Sequence, residues 1–494
     1  MSYAKIYARG ALGIEAPLVT VEAFISRGLP SLAIIGLPAT AVRESKDRVR
    51  SALIHSGYTF PKYKVTVNLG PADLPKEGGR YDLAIAISLL IASEQLLQQQ
   101  CDNYEFLGEL SLDGSIKSVP NVLSASFAAH QANRTLILPA ANLAEASLFR
   151  EAKQHSFKTL GELCESLENI TMTSASVRLP TKSVTYTTDL SEVQGQSAAR
   201  RALEIAAAGG HHLLMIGSPG SGKTMLAERL MTIQPPLTEA QAFDIARIYS
   251  CRNLWDTDKW QQRPFRSPHH TSSAVAMVGG GSKPLPGEVS LAQHGVLFLD
   301  ELPEFERRVL EVLREPLESR QVSLSRAACQ VRYPAHFQLI AAMNPCPCGY
   351  HDDPNRACQC TTDMINRYRG KLSGPLLDRI DLQVRVPPID HQVLLRRSSQ
   401  AESSAAVRAR VEAAFTRQIM RQKQTNASLG GARILALQGL DSACETVILK
   451  AAQRLNLSAR AIHRVVAVAR TIADLEAEPS ISVVHLAEAL GYRI

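Results

Sequence analysis

Aromatic residues are scarce: 2 Trp, 12 Tyr and 12 Phe make up 5% of 494 residues. No apolar run approaches the roughly 20 residues that cross a bilayer. The best candidate, Leu83 to Ala92, is bounded by Asp82 and Glu94 and reads as a buried helix. The opening residues, MSYAKIYARG, lead into no apolar signal core, so neither secretion nor membrane contact is expected and a cytoplasmic location is. The 9 cysteines are too few and too uneven for a disulfide framework, which suits a reducing compartment. With 45% apolar and 20% charged residues, the chain is neither disordered throughout nor collagen-like. It contains no internal repeat and no low-complexity tract.

Neither charge sign dominates, since 54 Lys and Arg face 47 Asp and Glu for a net +7. The distribution is uneven: His391 to Ile494 carries 14 basic and 8 acidic residues, hence +6 of the total. Such a tail suits contact with phosphate, and equally an ordinary solvated helical surface.

At roughly 150 residues per domain the length predicts about three domains. Residues 1–170 alternate strand-like pieces (Leu18–Phe24, Leu32–Ile35, Tyr63–Asn68, Thr135–Leu138) with helical ones (Ala41–Ser56, Asp82–Leu97). Residues 171–189, rich in Ser and Thr, read as a linker. Residues 190–390 alternate again, with short apolar strand cores at Leu213–Ile216, Val296–Leu299 and Phe337–Met343. Isolated apolar strands followed by helices predict an α/β core around a buried parallel sheet. Residues 391–494 show no strand signal. Ala405–Met420, Asp441–Leu455 and Ala459–Leu475 carry 3.6-residue periodicity and predict a helical bundle.

The strongest motif is Gly217, Ser218, Pro219, Gly220, Ser221, Gly222, Lys223 and Thr224, placed between an apolar strand and the helix Met225–Thr232. Glycines let successive backbone N–H groups turn inward around β- and γ-phosphates, and the helix N-terminus adds its dipole. Lys223 is predicted to reach the phosphates and the Thr224 hydroxyl to ligate Mg²⁺. A second apolar strand, Gly295 to Leu299, ends in Asp300 and Glu301. Asp300 is expected to organise the metal and Glu301 to polarise a water for in-line attack, although two acids at a strand end also suit a solvated turn. A third strand ends at Asn344, before Pro345. Arg379, in Leu376–Asp381, and Arg460, in Leu457–Arg460, are two further candidates, each of which also suits a surface salt bridge.

In this order the elements resemble an AAA+ ATPase, with an αβα core and a helical lid, of the branch that includes magnesium chelatase and the MCM proteins. Val193–Gln196 resembles the box preceding the first AAA+ helix. Gly279–Glu288 and Asn344–Gly349 look like the bacterial YifB/ComM family of magnesium-chelatase-like proteins. The resemblance implies ATP and Mg²⁺ as cofactors, a homo-hexameric ring, and DNA branch migration in natural transformation. It also implies that the strand ending at Asn344 lies between the other two, that Asn344 helps orient the attacking water, that Arg379 is an arginine finger acting on a neighbouring subunit, and that Arg460 is the sensor-2 arginine. Val67–Arg80 and Leu107–Gly114 look like a Lon peptidase domain of the ribosomal S5 domain-2-like fold. Motif alignment puts Arg80 at its serine and Leu123 near its lysine, so no peptidase activity is expected.

Cys346, Cys348, Cys358 and Cys360 have the number and turn-rich spacing of a structural zinc site, with His351 as a substitute ligand; the same pattern also fits a loop of reduced thiols. His211, His212, His269 and His270 read as packing or hydrogen-bonding residues, the second pair also suiting a pore lining. Gln321–Ser325 and Ala328–Arg332 alternate like paired strands, and their placement resembles the pore hairpin of the MCM branch. Arg326 near its tip is assigned to the phosphate backbone of single-stranded or branched DNA, against the alternative of an edge hairpin kept soluble by its arginine. Three functions compete: a hexameric DNA motor, a protein-remodelling motor like magnesium chelatase or the MoxR chaperones, and a regulator that only binds nucleotide. The catalytic set argues against the third. The missing aromatic at the hairpin tip favours the first over the second.

Overall fold

The computed structural model describes residues 2–36, 42, 44–169, 186–281, 284–326, 329–351, 353–389, 401–430, 433–435 and 440–493. Most of the expected linker, and the first residues of the expected lid, lie outside them.

The N-terminal part is built on a seven-stranded sheet. In chain order its strands are β1 (Ser2–Arg9), β2 (Leu18–Ser26), β3 (Ser31–Ile35), β4 (Lys64–Gly70) and β5 (Tyr104–Phe106). After the small antiparallel pair β6 (Glu109–Leu110) and β7 (Ile116–Lys117) come β8 (Thr135–Pro139) and β9 (Gln154–Phe157). The sheet order is β3-β4-β2-β1-β5-β8-β9, with β2 antiparallel to both its neighbours and the other pairings parallel. On β1, Ala4, Ile6 and Ala8 alternate inward, a period-2 signal too short and polar to stand out in the sequence. Every residue of helix Asp82–Ala92 is buried. The helix stops short of the expected Leu97 because Glu94 turns left-handed at φ 60°. Its first residue, Asp82, is buried but tied to Ser45 Oγ (2.5 Å) and Arg48 Nε (2.7 Å).

The central part holds five parallel strands: β10 (Leu213–Ile216), β11 (Phe265–Arg266), β14 (Val296–Leu299), β17 (Gln338–Met343) and β18 (Leu382–Arg385). Two small antiparallel pairs interrupt the count, β12 (Gly279–Gly280) with β13 (Leu285–Pro286), and β15 (Gln321–Arg326) with β16 (Cys329–Pro334). The sheet order is β11-β14-β17-β10-β18, so the strand ending at Met343 lies between the two that carry the phosphate loop and the acids. Alternation splits the core between the two faces. Leu213, Met215, Val296 and Phe298 pack with the C-terminal helices, whereas Leu214, Leu297 and Leu299 pack under Phe305, Val309 and Leu310.

The periodic C-terminal runs form helices Ser404–Gln422, Ser442–Leu455 and Ala459–Leu475, followed by Val483–Gly491. Ser403, Asp441 and Ser458 cap the first three through their side chains. Buried Asp474 collects Arg421 (2.7 and 2.8 Å), Arg470 (2.9 Å) and Asn426 (2.9 Å), so the charges inside the bundle are paired.

The N-terminal part docks on helix Glu239–Ser250. Arg247 donates to the Ile14 carbonyl (2.7 Å), Ser250 to Glu145 (2.5 Å) and the Cys251 thiol to the Gly13 carbonyl (2.9 Å), beside a stack of Phe149 on Phe243.

Candidate nucleotide site and cysteine cluster

The parallel register aligns the C-terminal ends of three central strands. Ile216 pairs with Met343 and Leu299 with Ala341, so the residues that follow these strands emerge on one sheet edge, where ligands of open α/β sheets bind. Gly220 and Gly222 take φ values of +78° and +90°, which side chains rarely adopt, and the helix Lys223–Ile233 starts directly behind them.

Lys223 is buried, and its ammonium donates to the carbonyls of Gly217 (2.8 Å) and Ser218 (3.0 Å) and to Asn344 Oδ1 (3.3 Å). Burial lowers its pKa, while the Asp300 and Glu301 carboxylates oppose that shift. The Thr224 hydroxyl donates to Asp300 Oδ2 (2.9 Å), and Asp300 Oδ1 accepts the Glu301 N–H (2.9 Å). Thr224 and Asp300 are thus adjacent hard oxygen donors, the chemistry that suits Mg²⁺. Glu301 takes φ 52° as the chain leaves β14, and half of its side chain is exposed. Its Oε2 lies 3.2 Å from His270 Nδ1, and the His270 ring lies 4.2 Å from that of His269. The sequence reading missed this partner. His270 follows a two-residue strand, and only the pairing of β11 with β14 brings it to Glu301. The other histidine pair hydrogen-bonds inside the core, His211 with Thr471 (2.7 Å) and His212 Nδ1 with the Leu339 N–H (3.0 Å).

The four cysteines converge just past Asn344. Cys346, Cys348 and Cys358 have Sγ–Sγ distances of 3.4, 3.7 and 3.6 Å, and all four sulfurs lie within 4.8 Å of one another. A tetrahedral zinc with Zn–S near 2.3 Å requires sulfurs about 3.8 Å apart, so the residues fit that ion. His351 enters through its backbone, donating to Cys346 Sγ (3.3 Å), and Cys348 N–H donates to Cys360 Sγ (3.4 Å).

Three descriptions of one protein match the chain in succession: "Subunit ChlI of Mg-chelatase" over residues 21–142, "Magnesium chelatase, subunit ChlI" over 189–394 and "Magnesium chelatase, subunit ChlI C-terminal" over 401–493. Against a protein named YifB from Salmonella typhimurium the identity is 50% over 495 residues, covering 100% of this chain and 97% of that one. Against competence protein ComM from Haemophilus influenzae it is 44%, covering 100% and 98%. The chain belongs to the YifB/ComM family of magnesium-chelatase-like AAA+ ATPases. A weaker likeness, 25% over 224 residues, covers 45% of this chain and 24% of DNA helicase MCM8 from Bos taurus.

In this YifB/ComM-family chain the two arginine candidates share one partner. Arg379 Nη2 and Arg460 Nη2 lie 2.6 and 2.7 Å from the same oxygen of Glu318, a residue that sequence reasoning did not single out. Arg379 precedes β18, whose first residue pairs with Leu213, so it sits at the opposite strand ends from the phosphate loop. Four residues of strand separate the two edges by about 13 Å. Arg460 therefore does not come to the nucleotide loop of its own chain.

The hairpin β15–β16 turns its alternating Val322, Val331 and Tyr333 inward, and its register closes at Arg326 opposite Cys329. Residues 327–328 and the Arg326 side chain lie outside the described residues. Arg80 is buried with no hydrogen-bond partner for its guanidinium among the described residues, and Leu123 is packed against Leu148 and Ala246 at the docking surface.

Proposed function

We propose that this chain is one subunit of a hexameric ring that hydrolyses ATP to move on single-stranded or branched DNA, driving branch migration of the kind that integrates DNA during transformation or recombination. One observation carries the reading: at one edge of a parallel sheet, Lys223 hydrogen-bonds Asn344 while its chain neighbour Thr224 hydrogen-bonds Asp300, which also accepts the Glu301 N–H. In the proposed cycle Lys223 exchanges its carbonyl partners for phosphate oxygens. Thr224 and Asp300 are the residues that would hold Mg²⁺, which when bound neutralises phosphate charge. Glu301 takes a proton from the attacking water, Asn344 helps place that water, and His270 orients the Glu301 carboxylate. Arg379 and Arg460, held side by side on Glu318, would meet the nucleotide of a neighbouring subunit. The N-terminal part is proposed to be a Lon-like domain without a peptidase dyad, because neither Arg80 nor Leu123 offers a nucleophile or base.

The matches to a magnesium chelatase subunit favour a second reading, a protein-remodelling motor. ATPase assays with and without single-stranded, duplex and forked DNA separate the two, since only a DNA motor is stimulated by DNA. Lys223→Ala is expected to lose both nucleotide binding and turnover. Glu301→Gln is expected to bind ATP but turn it over about 10²- to 10⁴-fold more slowly. Undiminished turnover in Glu301→Gln would overturn the catalytic assignment, and indifference to every DNA form would overturn the DNA motor.

A further inference from the structure

The cysteine cluster and the phosphate loop touch. Gly349, in the turn between the two cysteine pairs, takes φ +87°, and a Cβ there would stand 2.5 Å from Cδ of Pro219. Beside this contact opens a cavity of about 460 Å³ whose floor includes Gly220 and Gly222. Val193, Gln194 and Met225 line it together with Tyr350 and Arg356. The Tyr350 and Arg356 side chains are organised in advance. The Arg356 guanidinium lies 5.0 Å from the Tyr350 ring centroid, its Nη1 donates to the Tyr350 hydroxyl (2.8 Å), and the Asp353 N–H returns to the Tyr350 carbonyl (3.2 Å).

We propose that Tyr350 and Arg356 form the outer wall of the nucleoside half of the ATP site, and that the four-cysteine cluster holds this wall in place. The proposal rests on reading residues 217–224 as the triphosphate cradle. A ligand whose phosphates occupy that loop extends the rest of itself over Gly220 and Gly222 into this cavity. The volume lies within the roughly 300–1,000 Å³ of small-ligand sites. An aromatic ring with a guanidinium over it suits a planar base, and Met225 supplies a polarizable apolar surface in the same cavity. Because Tyr350 and Arg356 lie between Cys348 and Cys358, whatever fixes the four sulfurs also fixes the wall. A zinc ion in the cluster would therefore raise nucleotide affinity without touching the nucleotide.

Calorimetric binding to the full chain tests this with two probes, a non-hydrolysable ATP analogue and inorganic tripolyphosphate. Tyr350→Ala and Arg356→Ala should each weaken the ATP analogue by about tenfold, the scale of a missing base stack, while tripolyphosphate affinity stays within about twofold. Tyr350→Phe, which keeps the ring, should stay close to the unaltered protein. Removal of zinc by a zinc-selective chelator under reducing conditions, with Mg²⁺ kept in excess, should reproduce the selective loss, and one equivalent of zinc should reverse it. ATP-analogue affinity unchanged in both alanine variants overturns the proposal, as does an equal loss for both probes. Lys223→Ala separates the underlying reading: if it weakens neither probe, the phosphate-loop assignment has failed rather than the wall.

Discussion

At the residue scale the core depends on groups whose ionisation is set by burial. Burial pushes His212 down to about 4, with Arg464, His211 and Arg320 acting in the same direction and the Asp381 carboxylate opposing them. His336 is pushed down to about 3, again chiefly by burial. Both are neutral in the fold, and His212 needs its bare Nδ1 to accept the Leu339 N–H on the central strand β17. In the unfolded chain each titrates near 6.5, so the unfolded state binds more protons between about 6.5 and 4. Their contribution to stability is complete above about pH 6.5 and is lost as pH falls toward 4, by up to about 1.4 kcal/mol per pH unit for one group. The thermal midpoint should fall steadily between pH 6.5 and 4.5. His212→Asn, which retains an acceptor near Leu339, should flatten that decline. Parallel curves for both proteins would show that His212 is not a contributor.

At the element scale two excursions from the core carry the remaining chemistry. The cysteine segment has sulfur spacings that fit one ion, so the purified chain should contain about one zinc, and Cys358→Ser should release most of it. Metal analysis of reduced, chelator-free protein decides this, and an absence of zinc would leave four reduced thiols. The β15–β16 hairpin is anchored by the inward faces of Val322, Val331 and Tyr333, with Tyr333 Oη also donating to the Pro284 carbonyl (2.7 Å). Arg326→Ala should lower affinity for two unrelated oligonucleotides alike and reduce the salt slope by about one counterion for each phosphate left without its arginine, with DNA-free ATPase activity near normal. An unchanged slope and affinity would move the DNA path elsewhere and favour the protein-remodelling reading.

At the scale of the whole molecule, the phosphate loop and the arginine pair occupy opposite edges of the same sheet. In the proposed ring, one copy's arginine edge would meet another copy's nucleotide edge. Arg379→Ala alone should lower turnover by about 10³-fold or more, the scale of an arginine finger. Lys223→Ala alone should also be inactive. Mixed together, the two variants should regain part of the activity, since some interfaces then join an intact loop to an intact arginine. Mixtures that remain inactive at every ratio would show that Arg379 does not act across an interface.

The phosphate loop, the strand-end acids and the three C-terminal helices were legible in the sequence. Each is encoded by neighbouring residues: glycines where φ must be positive, and apolar positions repeating at 2 or 3.6 residues. Strands β1 and β11 were not, because one mixes polar residues into a short alternation and the other has only two residues and takes its identity from β14 beside it. Tertiary structure alone decided which distant residues became partners. The place of β17 between β14 and β10, which the family resemblance implied and no local pattern encodes, joins Asn344 to Lys223. The same folding carries His270 to Glu301, gathers Arg379 and Arg460 on Glu318, and sets Tyr350 and Arg356 over the phosphate loop. Local pattern records what a segment prefers by itself. Pairings between segments tens to hundreds of residues apart depend on how the sheet is ordered, and no single stretch of sequence carries that order.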